Sequence, residues 1–194
     1  MIPQHDTDRP GADTTKARLE EAALELFARD GYEAVTASQI AAAAGVTERT
    51  FFRHFSTKLA SLLGDSDERA ERFTELLRAQ PPGLDPLEAL LAAIAAEEAD
   101  HPTSPDDLLR RRIILATPSL ADDVRAFESS FERTIAEWLG ERTGRGAEDY
   151  EVAVIAAALV ACRRVVVNTW DASGGTESLV DLAARALAAI EVRL

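Results

Sequence analysis

The side chains in this sequence best suited to recognising another molecule stand close together: Thr47, Glu48, Arg49, Thr50, Arg53 and His54, with Lys58 just behind. A guanidinium pairs bidentately with a guanine edge, a carboxylate accepts from the cytosine amino group, and hydroxyl or ammonium groups take phosphate oxygens. Arg49 and Arg53 are four positions apart, so a helix would put both on one face. From Thr47 to Lys58, Arg49, Arg53 and Lys58 oppose Glu48 alone, and His54 can add to the surplus. Catalysis has no comparable grouping. His5, His54 and His101 are far apart, Cys162 has no base near it in sequence, and no phosphate loop, nucleophile elbow or metal-ligand spacing occurs. Neither an enzyme nor a cofactor or metal is expected.

The flanking sequence supplies the elements that would hold these groups. Thr36 and Gln39 have capping-box spacing, which starts a short helix running to about Ala43. Gly45 then stands where a tight turn needs positive φ, and Thr47 can cap the next helix, to about Phe55. Phe51 and Phe55, one turn apart, face the core. Before them, Leu19, Ala22, Ala23, Leu26 and Phe27 fall on one face of a helix that begins at Asp13 or Thr14 and ends at Gly31. The pattern is a helix followed by a helix-turn-helix.

From Thr14 to Leu63 this pattern resembles the DNA-binding domain of the TetR family of bacterial regulators. The agreement lies in Leu26-Phe27, Gly31-Tyr32, Thr36, Ile40-Ala41, Ala44-Gly45-Val46, Thr50, Phe51, Phe52, Phe55 and Lys58. The resemblance implies that Glu48, Arg49, Thr50 and Arg53 face the major groove. Thr36, Thr47, Phe52, His54 and Lys58 complete the implied DNA-binding set, with Thr36, His54 and Lys58 where the family touches phosphates. A helix N-terminus at Lys58 would add a positive dipole end to the ammonium charge. For His54, a structural hydrogen bond is an equal alternative. Three positions depart from the family pattern: Arg49 replaces a small residue, Phe52 a tyrosine, and Leu59 the glutamate that would complete a capping box with Ser56.

The rest of the chain reads as helix as well, giving an all-α protein of about nine helices. Residues 1–12 are expected to be a flexible arm, 13–60 the helix-turn-helix DNA-binding domain, and 61–194 a ligand-binding and dimerisation domain. Ser56 is expected to cap a helix reaching Ala79, where Pro81 and Pro82 stop it. Asp85 before Pro86 and Ser104 before Pro105 signal further starts, with helices near 85–100, 105–117, 119–143, 148–172 and 176–192. Leu91, Ile94, Ile113, Phe127, Phe131 and Trp138 are candidate apolar walls of an effector site, with Ile114 beside them. Arg163 and Asn168, which interrupt an apolar helix, are candidate polar contacts, although pairing of such a cation with an acidic neighbour is the commoner arrangement.

The resemblance further implies a homodimer formed through the last two helices. The stripe Leu179, Leu182, Ala183, Ala186, Leu187 and Ile190 is compatible with this and equally with an internal core. The stretch LLRRRIILATPSLADDVRAF resembles the actinobacterial subgroup that includes the mycofactocin regulator, which implies acyl-CoA-type ligands. The expected partners are therefore double-stranded operator DNA, a small-molecule effector and a second copy of the chain. The alternative is a helical ligand-binding or interaction protein without DNA binding.

The net charge of −13 would repel DNA if it were uniform, but the acidic excess lies mainly beyond residue 60. The apolar run Val152–Cys162 is about half of what spans a bilayer and is followed at once by Arg163 and Arg164, so no membrane span is read. With no secretory signal and a single cysteine, a cytoplasmic protein is expected.

Overall fold

The computed structural model describes residues 10–190, over which the chain forms ten α-helices and one 3-10 turn, with no strand. In order these are α1 (Pro10–Asp30), α2 (Ala37–Ala43), α3 (Glu48–His54), α4 (Lys58–Leu63), α5 (Ser66–Ala79), α6 (Pro86–Asp100), α7 (Pro105–Ala116), the 3-10 turn Pro118–Leu120, α8 (Ala121–Thr143), α9 (Tyr150–Ala172) and α10 (Leu179–Ala188). Two compact units result. The first runs to Asp65 and takes in Leu109–Thr117; the second spans Ser66–Leu108 and the described residues from Pro118 onward.

In the first unit α1 contributes Leu19, Ala22, Ala23, Leu24 and Phe27 to a core completed by Ile40, Ala41, Phe51, Phe55 and Leu62. Leu26, expected on the buried face, is only half-buried, and Leu24 is buried in its stead. Phe51 and Phe55 are the core aromatics that their spacing indicated, with ring centroids 5.5 Å apart. Burying a phenyl completely is what anchors a helix as short as α3, which could not persist alone.

The second unit packs α5, α6, α8, α9 and α10 around Leu77, Leu90, Ala93, Ile135, Trp138, Leu139, Val152, Ile155 and Leu159. A smaller cluster joins Leu108, Val166, Trp170, Leu182 and Ala183. Helix α9 is long and apolar enough to cross a membrane, with a mean hydropathy of 1.8 over its most apolar window. One of its sides is built into these clusters.

The structure corrects several boundaries. Residues 1–9 of the expected arm lie outside the described residues, while 10–12 already belong to α1. The helix expected from Ser56 to Ala79 is two: Thr57, not Ser56, caps α4, accepting from the Ala60 N–H at 3.1 Å, and the run breaks at Gly64. Gly64 has φ 58° and ψ −126°, a backbone only glycine adopts without strain, and the Arg110 guanidinium lies 3.2 Å from where its Cβ would be. Arg110 donates to the Leu62 carbonyl at 2.9 Å, so it satisfies an acceptor left over at the end of α4. The last helix is shorter than expected at its start, where Ser178 caps it by accepting from Asp181 N–H at 3.2 Å.

Candidate nucleic-acid interface

The local chemistry of residues 36–58 makes a rigid frame. Thr36 accepts from Gln39 N–H at 3.3 Å while the Gln39 side-chain oxygen takes the Thr36 N–H at 2.8 Å, the reciprocal cap expected for α2. Gly45 has φ 68°, and Val46 N–H bonds the Ala41 carbonyl at 2.9 Å to close the turn. Thr47 then accepts from Thr50 N–H at 3.2 Å and caps α3.

Two contacts invisible in the sequence hold this frame from outside. Arg18 on α1 donates to the Ala44 carbonyl in the turn, and a Cβ at Gly45 would lie 3.0 Å from the same guanidinium. Gly45 is therefore required twice, by its backbone angle and by its neighbour. The Lys58 ammonium donates to the carbonyls of Tyr32 at 2.7 Å and Val35 at 2.9 Å and sits 4.0 Å from the centroid of the Tyr32 ring.

This last arrangement departs from the expectation for Lys58. The ammonium turns back onto its own unit instead of outward, and α4 is only six residues long, too short to provide the strong N-terminal dipole that a phosphate site would exploit. The remaining candidates of α3 do turn outward. Thr47, Glu48, Arg49, Phe52 and Arg53 are exposed, and Thr50 is half-buried. Arg49, Thr50, Phe52 and Arg53 line one shallow, open depression. Among the described residues Arg49 has no ion pair, and Arg53 is within hydrogen-bond distance of the His54 ring at 3.5 Å.

Other cations of the first unit have inward or lateral partners. Lys16 lies 2.9 Å from Asp65, and Arg29 pairs with Asp30 at 2.6 Å. Partial burial, then the positive charges of Arg53 and Lys16, hold His54 below the ordinary histidine range. His54 is thus neutral near pH 7 and does not add to the cationic surplus, as the sequence had suggested it could.

The candidates of the second unit do not form one group. Trp138 is a core residue, 4% exposed, whose indole N–H is spent on the Leu77 carbonyl at 3.1 Å. Leu91 and Ile94 are half-buried and touch both apolar clusters. Phe131 stacks on Phe73 at 5.7 Å, a partner no local spacing indicates, and Arg163 lies over Phe131 at 4.9 Å and Phe127 at 5.3 Å. Ile113 and Ile114 fall in the first unit, and Asn168 is exposed on α9.

The α10 stripe is also turned inward: Leu182, Ala183 and Leu187 are buried, with Leu179 and Ala186 packed beside Leu108, Val166 and Trp170. Outward-facing apolar groups occur on α9, where Tyr150, Val154 and Val165 are exposed. Among the described residues no group of three or more His, Cys, Asp or Glu side chains could hold a metal ion.

Comparison with known proteins agrees with this geometry. Residues 19–61 match the family model described as bacterial regulatory proteins, tetR family, and residues 84–194 match the MftR C-terminal domain. The chain is 32% identical over 164 residues to the HTH-type transcriptional regulator TcmR of Streptomyces glaucescens, covering 80% of this chain and 73% of that protein. It is 28% identical over 158 residues to the putative mycofactocin biosynthesis transcriptional regulator MftR of Mycobacterium tuberculosis, covering 81% and 80%. The fold is similar to that of NalD, the secondary repressor of the MexAB-OprM multidrug efflux pump in Pseudomonas aeruginosa, with a TM-score of 0.65 and 22% identity over 93% of this chain and 95% of that one.

Proposed function

The chain belongs to the TetR family of bacterial regulatory proteins, and from that premise we propose that it is a repressor that holds a palindromic operator as a homodimer until a small molecule releases it. The observation that carries this reading is the pair of outward, uncompensated guanidiniums of Arg49 and Arg53, set on one open face of a short helix that is capped and braced at its start. Such a helix fits the major groove. Glu48, Arg49 and Arg53 would address base edges, Phe52 a thymine methyl, and Thr36, Thr47, Thr50 and His54 the backbone. The reading places the protein in the cytoplasm, beside the chromosome.

The second subunit would dock on α9 and α10, chiefly through the exposed side of α9 that carries Tyr150, Val154 and Val165. Domain roles follow the chain: DNA reading over 13–60, sensing and pairing over 61–194. For the effector, Leu91, Ile94 and Phe131 supply apolar contact. The Arg163 guanidinium, spread over Phe127 and Phe131, favours an anionic group next to an apolar portion, as an acyl-CoA-type ligand would have. Release requires only that the ligand prefer the form in which the two α3 helices no longer match the operator.

Duplexes enriched from a randomised library by the full-length protein should be inverted repeats with half-site centres about 34–36 Å apart. The Arg49→Ala variant should enrich a different base at a fixed position in each half-site. Failure to enrich any sequence would overturn the reading.

A further inference from the structure

Lysines near a DNA-reading helix are ordinarily counted as phosphate ligands, and the position of Lys58, just past the C-cap of α3 at Phe55, invites that assignment. Its surroundings argue otherwise. An ammonium has three donors. Two of them are on the Tyr32 and Val35 carbonyls at 2.7 and 2.9 Å, and the group rests 4.0 Å from the centre of the Tyr32 ring. That ring is fixed in turn against Phe27, with centroids 5.1 Å apart, and Phe27 is buried in the core. Swinging away from the loop towards a phosphate would cost the lysine two charge-assisted hydrogen bonds and the ring face, and in place it has one donor left.

The two carbonyls belong to the loop between α1 and α2, directly before Thr36, the N-cap of α2. One side chain therefore ties the exit of α3 to the entrance of α2. At the other end of the motif, Arg18 holds the turn through the Ala44 carbonyl. We propose that Lys58 is a positioning residue: by bonding Tyr32 and Val35 it fixes the pitch of α3 against α2, and it acts on DNA through that geometry without neutralising a phosphate. The proposal rests on the reading that α3 enters the major groove.

Phosphate ligation and positioning leave different signatures. Losing a phosphate contact weakens binding to all duplexes alike and lowers the slope of log K against log salt concentration by about 0.9. Losing a brace leaves that slope where it was and removes discrimination. Binding of Lys58→Met should be measured across a salt series on a random-sequence duplex and on a duplex enriched by selection. The expected result is an unchanged slope with a preference for the enriched duplex that is smaller by about tenfold, partly restored in Lys58→Arg. A reduced slope with equal loss on both duplexes overturns the proposal.

Tyr32→Leu keeps the ammonium but removes its ring. It should reproduce part of the lost preference, and combining it with Lys58→Met should add little; two fully additive losses overturn the brace. In the free protein, amide exchange over residues 32–36 should be about tenfold faster in Lys58→Met while the middle of α1 is unaffected. Unchanged protection there overturns the brace whatever happens with DNA. A wild-type protein that prefers no duplex would instead strike the functional reading, leaving the exchange result to decide the role of Lys58.

Discussion

Both lysines of the chain, Lys16 and Lys58, are engaged within the protein, and the outward charge of α3 rests on Arg49 and Arg53. His54, the last residue of α3, is half-buried beside them. Its pKa is lowered in the free protein, so the unfolded chain binds the proton first. Its contribution to stability is therefore present above the ordinary histidine range and is lost as pH falls through it. A phosphate brought near His54 would act in reverse, raising its pKa and favouring the protonated form. Between about pH 8 and about pH 6, duplex affinity at constant salt should rise on acidification while the thermal midpoint of the free protein falls, and both trends should shrink in His54→Gln. An affinity that is flat with pH in the wild type would remove His54 from the interface. Phe51, Phe55 and the threonine caps Thr36 and Thr47 could be read from sequence because their roles depend on neighbours three or four residues away. Arg18 could not, since its partner carbonyl is 26 positions distant and a backbone oxygen has no residue type.

Among the helices, the same distinction separates what was legible from what was not. Caps at Thr36, Thr47, Asp85 and Ser104 or a terminating glycine are local signals, and the elements they bound are where the sequence puts them. The break at Gly64 was missed because an isolated glycine in an otherwise helical pattern costs only about 1 kcal/mol, and nothing nearby reveals that Arg110 will occupy the space beside it. The apolar stripe of α10 satisfied two architectures at once, and only packing decided that it belongs to the core. The exposed side of α9 is the one the proposed dimer would use. Replacing Val154 by Glu on that side should convert a dimer to monomer in sedimentation velocity, since an unpaired carboxylate buried at an interface costs on the order of 3 kcal/mol. A variant that sediments as the wild type would place the interface elsewhere. Secondary structure should be preserved, because Val154 is 49% exposed.

For the molecule as a whole, a chain of net charge −13 that offers few free cations on its reading face has little means of holding DNA non-specifically. Recognition must come from fit, which explains why so much of the first unit is devoted to fixing one helix of seven residues. The second unit carries a different resource. Both tryptophans of the protein, Trp138 and Trp170, are buried there, and the first unit has none. Intrinsic emission excited at the red edge therefore belongs to the second unit alone. Titration with a candidate effector should shift or quench it, whereas an enriched duplex should leave it almost constant, and a large change on adding DNA alone would mean that the indoles feel the operator. If the proposed effector binds there, the arrangement reports it optically and requires no label.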